Sequence, residues 1–109
     1  GRWNGQQLYP AGWWKLAGTP AVPTGEGHGY GAQTWIPVAA DGGECAATPG
    51  YPKDALLMEG HYGQVVAMVP SKRAVVVRLG WSVIPDFDGC AFVADVVRTL
   101  PDVPLSLTS

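Results

Sequence analysis

Two hydrophobic runs near the centre of the chain give its clearest structural signal. "QVVAMV" (residues 64–69) and "AVVVRL" (residues 74–79) are rich in β-branched residues and almost continuous in apolar character. Runs of this length and composition are typical of strands that are buried on both faces of a sheet. The segment between them, Pro-Ser-Lys-Arg at residues 70–73, suits a tight turn. The pattern therefore predicts an antiparallel hairpin whose strands are covered on both faces.

Two further stretches carry strand signals. The apolar run "ALLME" at residues 55–59 stops at Gly60, so that residues 56–80 as a whole are predicted to form adjacent antiparallel strands. The stretch "YGAQTWIPV" at residues 30–38 alternates with a period of two, which predicts another strand. Pro37 ends that strand or marks it as an edge strand, because proline cannot donate a hydrogen bond to a neighbouring strand.

Helical patterns flank these strands. Pro10 suits the first turn of a short helix that stops at Gly18. Near the C-terminus, Asp88 can cap a helix over residues 89–100, and Pro101 stops it. The apolar positions of this second helix recur at helical spacing and are Phe92, Val93, Val96, Val97 and Leu100. The sequence predicts an α+β fold in which an antiparallel sheet is flanked by helices, with the second helix packed on the sheet.

Composition and charge restrict the possible functions. A chain of 109 residues with 47% hydrophobic and 15% charged residues has room for one globular domain with a modest core. The net charge of −2 provides no basic face, and no apolar run approaches the ~20 residues that span a bilayer. We expect neither a nucleic-acid partner nor a membrane partner. Five tryptophans exceed what so small a core can bury, which indicates a surface for some other partner.

The cysteines and histidines do not match a metal-site pattern. Cys45 and Cys90 lack the Cys-x-x-Cys spacing, and His28 and His61 are far apart in the sequence. No metal and no cofactor are predicted. The cysteines fit either two buried free thiols or a disulfide, and a disulfide would indicate an oxidising compartment, secreted or periplasmic. A catalytic pair of His61 with either cysteine has no local sequence support.

Sequence motifs for a nucleophile or a phosphate site are missing as well. Ser82 lies in "GWSVI", which lacks the second glycine of a nucleophile elbow, and a structural role is predicted for it. "GEGHGYG" at residues 25–31 has glycines at alternate positions and no helical pattern after it, which favours a loop over a phosphate cradle.

The cluster "EGHYGQ" at residues 59–64 precedes the hairpin and is the strongest candidate for a site. Gly60 and Gly63 remove side chains at the start of a strand, which allows another backbone or a ligand to approach closely. Taken alone, the two glycines also fit a β-bulge.

The order of these motifs resembles the C-terminal end of the serine β-lactamase-like hydrolases, in particular their esterase and aminohexanoate-dimer hydrolase branch. The similar features are a Trp-bearing strand after "YG", a run ending in Gly-x-x-Gly-Gln, a strand to "VPS", "VVVRLG" and a final helix; "RWNGQQLYPAGW" at the start is similar too. The resemblance covers almost the whole chain. It implies that residues 1–109 are the C-terminal part of a β-lactamase/transpeptidase-like fold whose N-terminal half carries the nucleophile.

Two of the family's three motifs, Ser-x-x-Lys and Tyr-x-Asn or Tyr-x-Ser, do not occur in this sequence. The third, Lys-Thr-Gly or His-Thr-Gly, maps onto Met58-Glu59-Gly60, where only the glycine matches. Because the Lys or His of this motif is replaced by Met58, β-lactams become disfavoured substrates. The resemblance implies catalytic roles for Gly60, which keeps the strand edge open, and for the backbone N–H of His61, which donates to the oxyanion. It also implies that Met58, Glu59 and Tyr62 line the substrate site.

The implied reaction is hydrolysis of an ester or a small amide through an acyl-enzyme, without a cofactor. The implied partners are the missing N-terminal portion, or a complementary chain that supplies it, and a small-molecule substrate. The alternative is a stand-alone α+β binding module, whose exposed tryptophans dock a partner and which has no catalytic activity.

Overall fold

The computed structural model of this chain describes residues 1–21, 30–37, 43–83 and 87–103. Within these ranges the chain forms a small α+β domain with a two-stranded and a three-stranded antiparallel sheet. In chain order the elements are β1 (Arg2–Trp3), β2 (Gln6–Gln7), α1 (Trp13–Ala17), β3 (Leu56–Gly60), β4 (Gln64–Val69), β5 (Ala74–Arg78) and α2 (Gly89–Arg98).

The larger sheet confirms the prediction of adjacent antiparallel strands over residues 56–80. Its strand order is β3-β4-β5, and a 3₁₀ turn over Pro70–Lys72 joins β4 to β5. Pairing of β3 with β4 runs without interruption from Leu56 opposite Met68 to Gly60 opposite Gln64. The β-bulge alternative for the glycines is therefore wrong, because the chain reverses in a three-residue turn directly after Gly60.

One face of this sheet, called the core face below, packs against α2. Side chains along β4 alternate between buried and half-buried, as expected when only one face of a sheet is fully covered. Burying this apolar surface is the main source of stability for the domain. The buried residues on this side include Leu57, Val65, Ala67, Val69 and Val76 from the strands and Val93, Ala94 and Val97 from the helix.

The other face, called the outer face below, contradicts the prediction that the hairpin strands are buried on both sides. Val75 is 62% exposed and Val77 is 54% exposed. The region of α1 covers only the end of this face near Leu56, which packs with Ala17 and Ile36. The prediction of burial on both faces fails for a physical reason. A continuous apolar run shows only that both faces of a strand suit burial, and the element that would cover the second face must come from another part of the chain.

The outer face carries a row of exposed apolar side chains across β3 and β5, next to the free edge of β5. Its members are Met58, Val75 and Val77. Within the described ranges, no strand pairs with the free edge of β5. Exposed apolar rows beside an open strand edge commonly mark interaction surfaces.

We expect the isolated chain to self-associate through this row, and a Val77→Lys variant to weaken that association about tenfold. The physical reason is that a charged side chain replaces a valine whose burial in an interface stabilises it by about 1.5 kcal/mol. Sedimentation velocity over a concentration series measures the effect. Val76→Lys serves as a matched control that should unfold the domain instead, because Val76 lies in the core. A chain that stays monomeric at every concentration would contradict this expectation.

The helices agree closely with their sequence signals. The Asp88 carboxylate accepts a hydrogen bond from the Ala91 N–H at 3.0 Å, which caps α2 as predicted. The helix ends at Arg98, two residues before the predicted end. The short helix near Pro10 is confirmed as α1, which ends before Gly18.

The predicted strand over residues 30–38 is wrong for residues 30–37, and residue 38 lies outside the described residues. In the described part of this segment only single bridges occur, between Tyr30 and Trp35 and between Trp35 and Leu57. The segment forms a tight loop in which the Gly31 N–H donates to the Thr34 carbonyl at 2.7 Å. A period of two in the sequence therefore does not by itself specify a strand.

A disulfide joins Cys45 to Cys90 and decides between the two alternatives for the cysteines. It connects the loop before β3 to the first turn of α2, and Cys45 is fully buried in the core. The free-thiol alternative and the catalytic pair of His61 with a cysteine are wrong, because neither sulfur is free to react. Most of the glycine-rich stretch "GEGHGYG", residues 25–29, lies outside the described residues.

Candidate functional site

The five residues that the sequence nominates lie together at one end of β3. Met58, Glu59 and Gly60 are its last residues, and His61 and Tyr62 open the turn to β4. Adjacent residues of a strand point to opposite faces of a sheet. Met58 accordingly shares the outer face with its neighbours across the sheet, whereas Glu59 lies on the core face. The structure brings Gly60, His61 and Tyr62 into one turn but divides Met58 from Glu59.

The backbone at this end of β3 has an open edge. Trp35 and Leu57 exchange two hydrogen bonds, from the Trp35 N–H at 2.7 Å and from the Leu57 N–H at 3.1 Å. Backbone groups in a strand alternate in direction, so Glu59 also presents its N–H away from β4. His61 lies two residues after Glu59 and is therefore the next residue in this alternation. Among the described residues, no bridge covers this edge beyond Leu57.

The turn from β3 to β4 has an unusual backbone. Tyr62 has φ of 61° and Gly63 has φ of 84°, and two consecutive residues with positive φ are characteristic of tight hairpin turns. Glycine adopts this conformation without strain, as the sequence predicts for Gly63. Tyr62 adopts it at an energetic cost, because its Cβ crowds the backbone. The neighbouring contacts must therefore stabilise the turn.

Arg78 supplies the first set of these contacts. Its guanidinium donates to the Gly63 carbonyl at 2.9 Å, to the Tyr62 carbonyl at 3.3 Å and to the Ser82 hydroxyl at 2.6 Å. The same group lies over the Phe87 ring, 3.9 Å from its centroid. Ser82 thus has the structural role that the sequence predicts, since its hydroxyl accepts from Arg78 and its N–H donates to the Tyr62 carbonyl.

Gln64 supplies the second set of contacts. Its side-chain amide donates to the His61 carbonyl at 3.0 Å and to the Gly80 carbonyl at 2.5 Å, and its amide oxygen accepts from the Gly80 N–H at 3.0 Å. These bonds connect the turn to the segment after β5. A side chain at Gly80 would have to displace the Arg78 guanidinium from its present position, so glycine there is compatible with the contacts of Arg78 to the turn.

Sequence reasoning missed Arg78 and Gln64 as parts of the site. The available signal was their position, because each is a polar residue at the end of an otherwise apolar strand. A buried or half-buried polar side chain needs hydrogen-bond partners, and the nearby turn provides them. The signal does not identify those partners, because the backbone groups that Arg78 and Gln64 contact in the opposite segment lie 15 or 16 positions away in the sequence.

Two carboxyl groups meet beside the core face of β3. Glu44 is exposed as a residue, but its carboxyl hydrogen-bonds that of Glu59, and partial burial together with the charge of Glu59 raises the pKa of Glu44 to about 7. Burial, followed by the charges of the same two glutamates, also raises the pKa of Tyr51. The Tyr51 hydroxyl is buried and has no hydrogen-bond partner among the described residues.

This carboxyl pair leads to a prediction about pH. A carboxyl whose pKa is higher in the folded state than its ordinary value of 4.5 favours folding while it is protonated. The free energy of unfolding should therefore fall as the pH rises from about 4.5 to 7. We expect a fall of about 1 kcal/mol, less than the full shift implies, because solvent screens a partly exposed carboxyl.

Glu44→Gln should remove this pH dependence, as measured by urea denaturation at pH 4.5 and pH 7. Asp95→Asn is the matched control, because Asp95 is an exposed carboxylate that pairs with Arg98 at 2.7 Å. If both variants keep the wild-type dependence of the unfolding free energy on pH, the carboxyl pair is not the source of that dependence.

A separate cavity of about 230 Å³ lies at the opposite end of the sheet, near the turn between β4 and β5. Several of its polar groups are engaged within the protein. Asp54 accepts hydrogen bonds from the Ser71 N–H at 2.7 Å and the Ser71 hydroxyl at 2.9 Å, and Lys72 pairs with Asp102 at 2.9 Å. These contacts stabilise the second turn of the sheet and leave the His61 turn as the candidate site.

In the described part of the chain, no three His, Cys, Asp or Glu side chains converge in a way that would hold a metal ion. The helices in the same part are too short and too polar to cross a membrane. Neither the models of protein families, nor the curated protein sequences, nor the solved structures compared with this chain gave a match.

Proposed function

We propose that this chain is the C-terminal segment of a serine hydrolase of the β-lactamase-like superfamily, which cleaves an ester or a small amide through an acyl-enzyme. The observation that carries the proposal is a three-stranded sheet with an apolar outer face and an open β3 edge next to the His61 turn. Such a sheet has the features expected of part of a larger domain, because it offers more apolar surface than its own elements cover.

The role proposed for His61 is to stabilise the oxyanion through its backbone N–H, together with the N–H of the nucleophile. Oxyanion donors are effective when they are held in place before the reaction, since no energy is then lost in reorganisation. The hydrogen bonds of Gln64 to the His61 carbonyl and of Arg78 to the next two carbonyls support such preorganisation. Gly60 would leave room for substrate at the strand end.

The proposed partner is the portion that bears the nucleophilic serine and its lysine, in the same enzyme or in a complementary chain. Serine attack, activated by the lysine and a tyrosine of that portion, would form the acyl-enzyme, and water would then hydrolyse it without a cofactor. The exposed row of Met58, Val75 and Val77 supports a partner of this kind, because an exposed apolar surface gains stability when it is covered.

The isolated chain is expected to be catalytically silent, because oxyanion donors have no attacking group to assist. The test is incubation with a fluorophosphonate probe and a chromogenic short-chain ester. Turnover accompanied by stoichiometric labelling of Ser71 or Ser82 would contradict the proposal.

The positive test is expression of the chain from a reading frame that continues upstream of Gly1 and includes Ser-x-x-Lys. This longer protein should react with the same probe at that serine and turn over the ester. A native start directly before Gly1 would restrict the proposal to its complementary-chain form, and it would refute the proposal if no complementary chain bearing the serine restores turnover of the ester.

The second candidate function is a stand-alone binding module. The observation that favours it is the exposure of several tryptophans, with Trp3 at 73% and Trp81 at 80%. Aromatic side chains at such exposure are commonly binding anchors. A binding module would keep its binding to a partner in the isolated 109-residue chain, whereas hydrolysis by the proposed enzyme requires the missing portion.

A further inference from the structure

We propose that the exposed face of the Trp81 indole binds the aromatic ring of a small ligand, with the Tyr62 ring stacked on its other face. The Trp81 and Tyr62 rings lie 4.5 Å apart between centroids at an angle of 26°, which is a stacked arrangement. The His61 ring lies 4.0 Å from the Tyr62 ring at an angle of 51°, which is a tilted arrangement. The Tyr62 ring thus contacts both the indole and the imidazole at the turn between β3 and β4.

The backbone on both sides of Trp81 is held in place, although the Trp81 side chain is exposed. The residue before it, Gly80, exchanges two hydrogen bonds with the Gln64 side chain, and the residue after it, Ser82, bonds to the Tyr62 carbonyl and to Arg78. The backbone on both sides of the indole is therefore fixed to the turn. A fixed backbone loses little conformational entropy when its side chain binds a ligand, which favours affinity.

The turn itself carries strain at Tyr62, whose ring stacks on the indole. Tyr62 has φ of 61°, a conformation that glycine or asparagine adopts more easily. Strained backbone that surrounding contacts maintain is concentrated at functional sites. In this turn the strained residue is Tyr62, whose ring contacts both His61 and Trp81, so an aromatic side chain stands where glycine or asparagine would be unstrained.

The geometry of the stack indicates the ligand class. Tyr62 covers one face of the indole, and 80% of the Trp81 surface remains accessible to solvent. A planar aromatic ring on the free face would continue the stack, and such contacts are favourable beyond simple apolar burial. If the hydrolase proposed above is correct, the bound ring belongs to the acyl or leaving group of the substrate, and this identification rests on that proposal.

The experiment titrates the full 109-residue chain with benzyl alcohol and, as a matched aliphatic probe, with cyclohexylmethanol. Binding is followed through the tryptophan indole N–H signals in proton–nitrogen correlation spectra. Benzyl alcohol should shift the Trp81 signal saturably, and cyclohexylmethanol should bind about tenfold more weakly. Trp81→Ala should abolish binding, and Trp3→Ala, which removes a similarly exposed tryptophan from the small β1–β2 sheet, should leave it unchanged.

Tyr62→Gly provides a second variant, because glycine fits the positive φ and removes only the Tyr62 ring. It should weaken binding while the folded spectrum is retained. Equal affinity for the two probes, or binding that survives Trp81→Ala, would overturn the inference. Because binding is measured without catalysis, its failure is distinguishable from a failure of the proposed hydrolase, which depends on turnover by the longer protein.

Discussion

A Cys90→Ala variant is expected to lose about 4 kcal/mol of unfolding free energy relative to the oxidised wild type. The disulfide closes a loop with a sequence separation of 45 residues, and a crosslink over a loop of that length removes much of the conformational entropy of the unfolded chain. The bond joins the loop before β3 to the helix that covers the core face. Guanidinium denaturation at neutral pH, followed by circular dichroism, measures the loss.

Cys90 is the better position for this test because Cys45 is fully buried, and its replacement would add a packing defect to the loss of the crosslink. The matched control is the wild-type chain with and without a reducing agent, which should show a similar difference. Reduction should leave the denaturation curve of Cys90→Ala unchanged. A loss below about 1 kcal/mol in both comparisons would contradict the assigned role of the disulfide.

In the complete enzyme that we propose, His61→Ala should have a mild effect on turnover, whereas His61→Pro and Gly60→Val should each reduce it about a hundredfold or more. The proposed donor is the backbone N–H of residue 61, which alanine keeps and proline removes. Valine at position 60 would place a branched side chain at the strand end; even a Cβ there would lie 3.0 Å from the Gln64 side chain. Loss of one oxyanion donor typically costs about 3 kcal/mol of transition-state stabilisation.

Turnover numbers with a chromogenic ester test this order, provided that circular dichroism shows each variant to be folded. Gln64→Glu is an informative companion, because it removes the amide N–H groups that hold the His61 and Gly80 carbonyls while keeping the size of the side chain. An intermediate loss of turnover is expected from it. If His61→Ala is as damaging as His61→Pro, the imidazole itself takes part in catalysis and the backbone role is wrong.

The elements that the sequence predicts well are those with local causes. The hairpin of β4 and β5 follows from two β-branched runs and the Pro70 turn, and α2 follows from the Asp88 cap and a stripe of apolar side chains. In each case the residues that decide the structure lie within a few positions of each other. The loop at residues 30–37 shows the limit of this reasoning, because its alternating pattern is equally compatible with a tight loop and a strand.

The candidate site was predictable only in part. Gly60 and Gly63 identify the turn through the conformational freedom of glycine, and the positive φ of Gly63 agrees with that reasoning. The left-handed conformation of Tyr62 was not predictable, since tyrosine seldom adopts it. The separation of Met58 from Glu59 depends on the strand register, which places neighbouring side chains on opposite faces of the sheet.

By itself, then, the sequence determined the antiparallel hairpin and the capped helix α2, because short-range sterics, capping and hydrophobic periodicity act between near neighbours. Only the tertiary structure decided that Cys45 pairs with Cys90, that Arg78 and Gln64 hold the His61 turn, and that Val75 and Val77 on the outer face are exposed. Those features depend on contacts between residues distant in sequence, and an apolar pattern specifies a surface suited to burial without specifying what covers it.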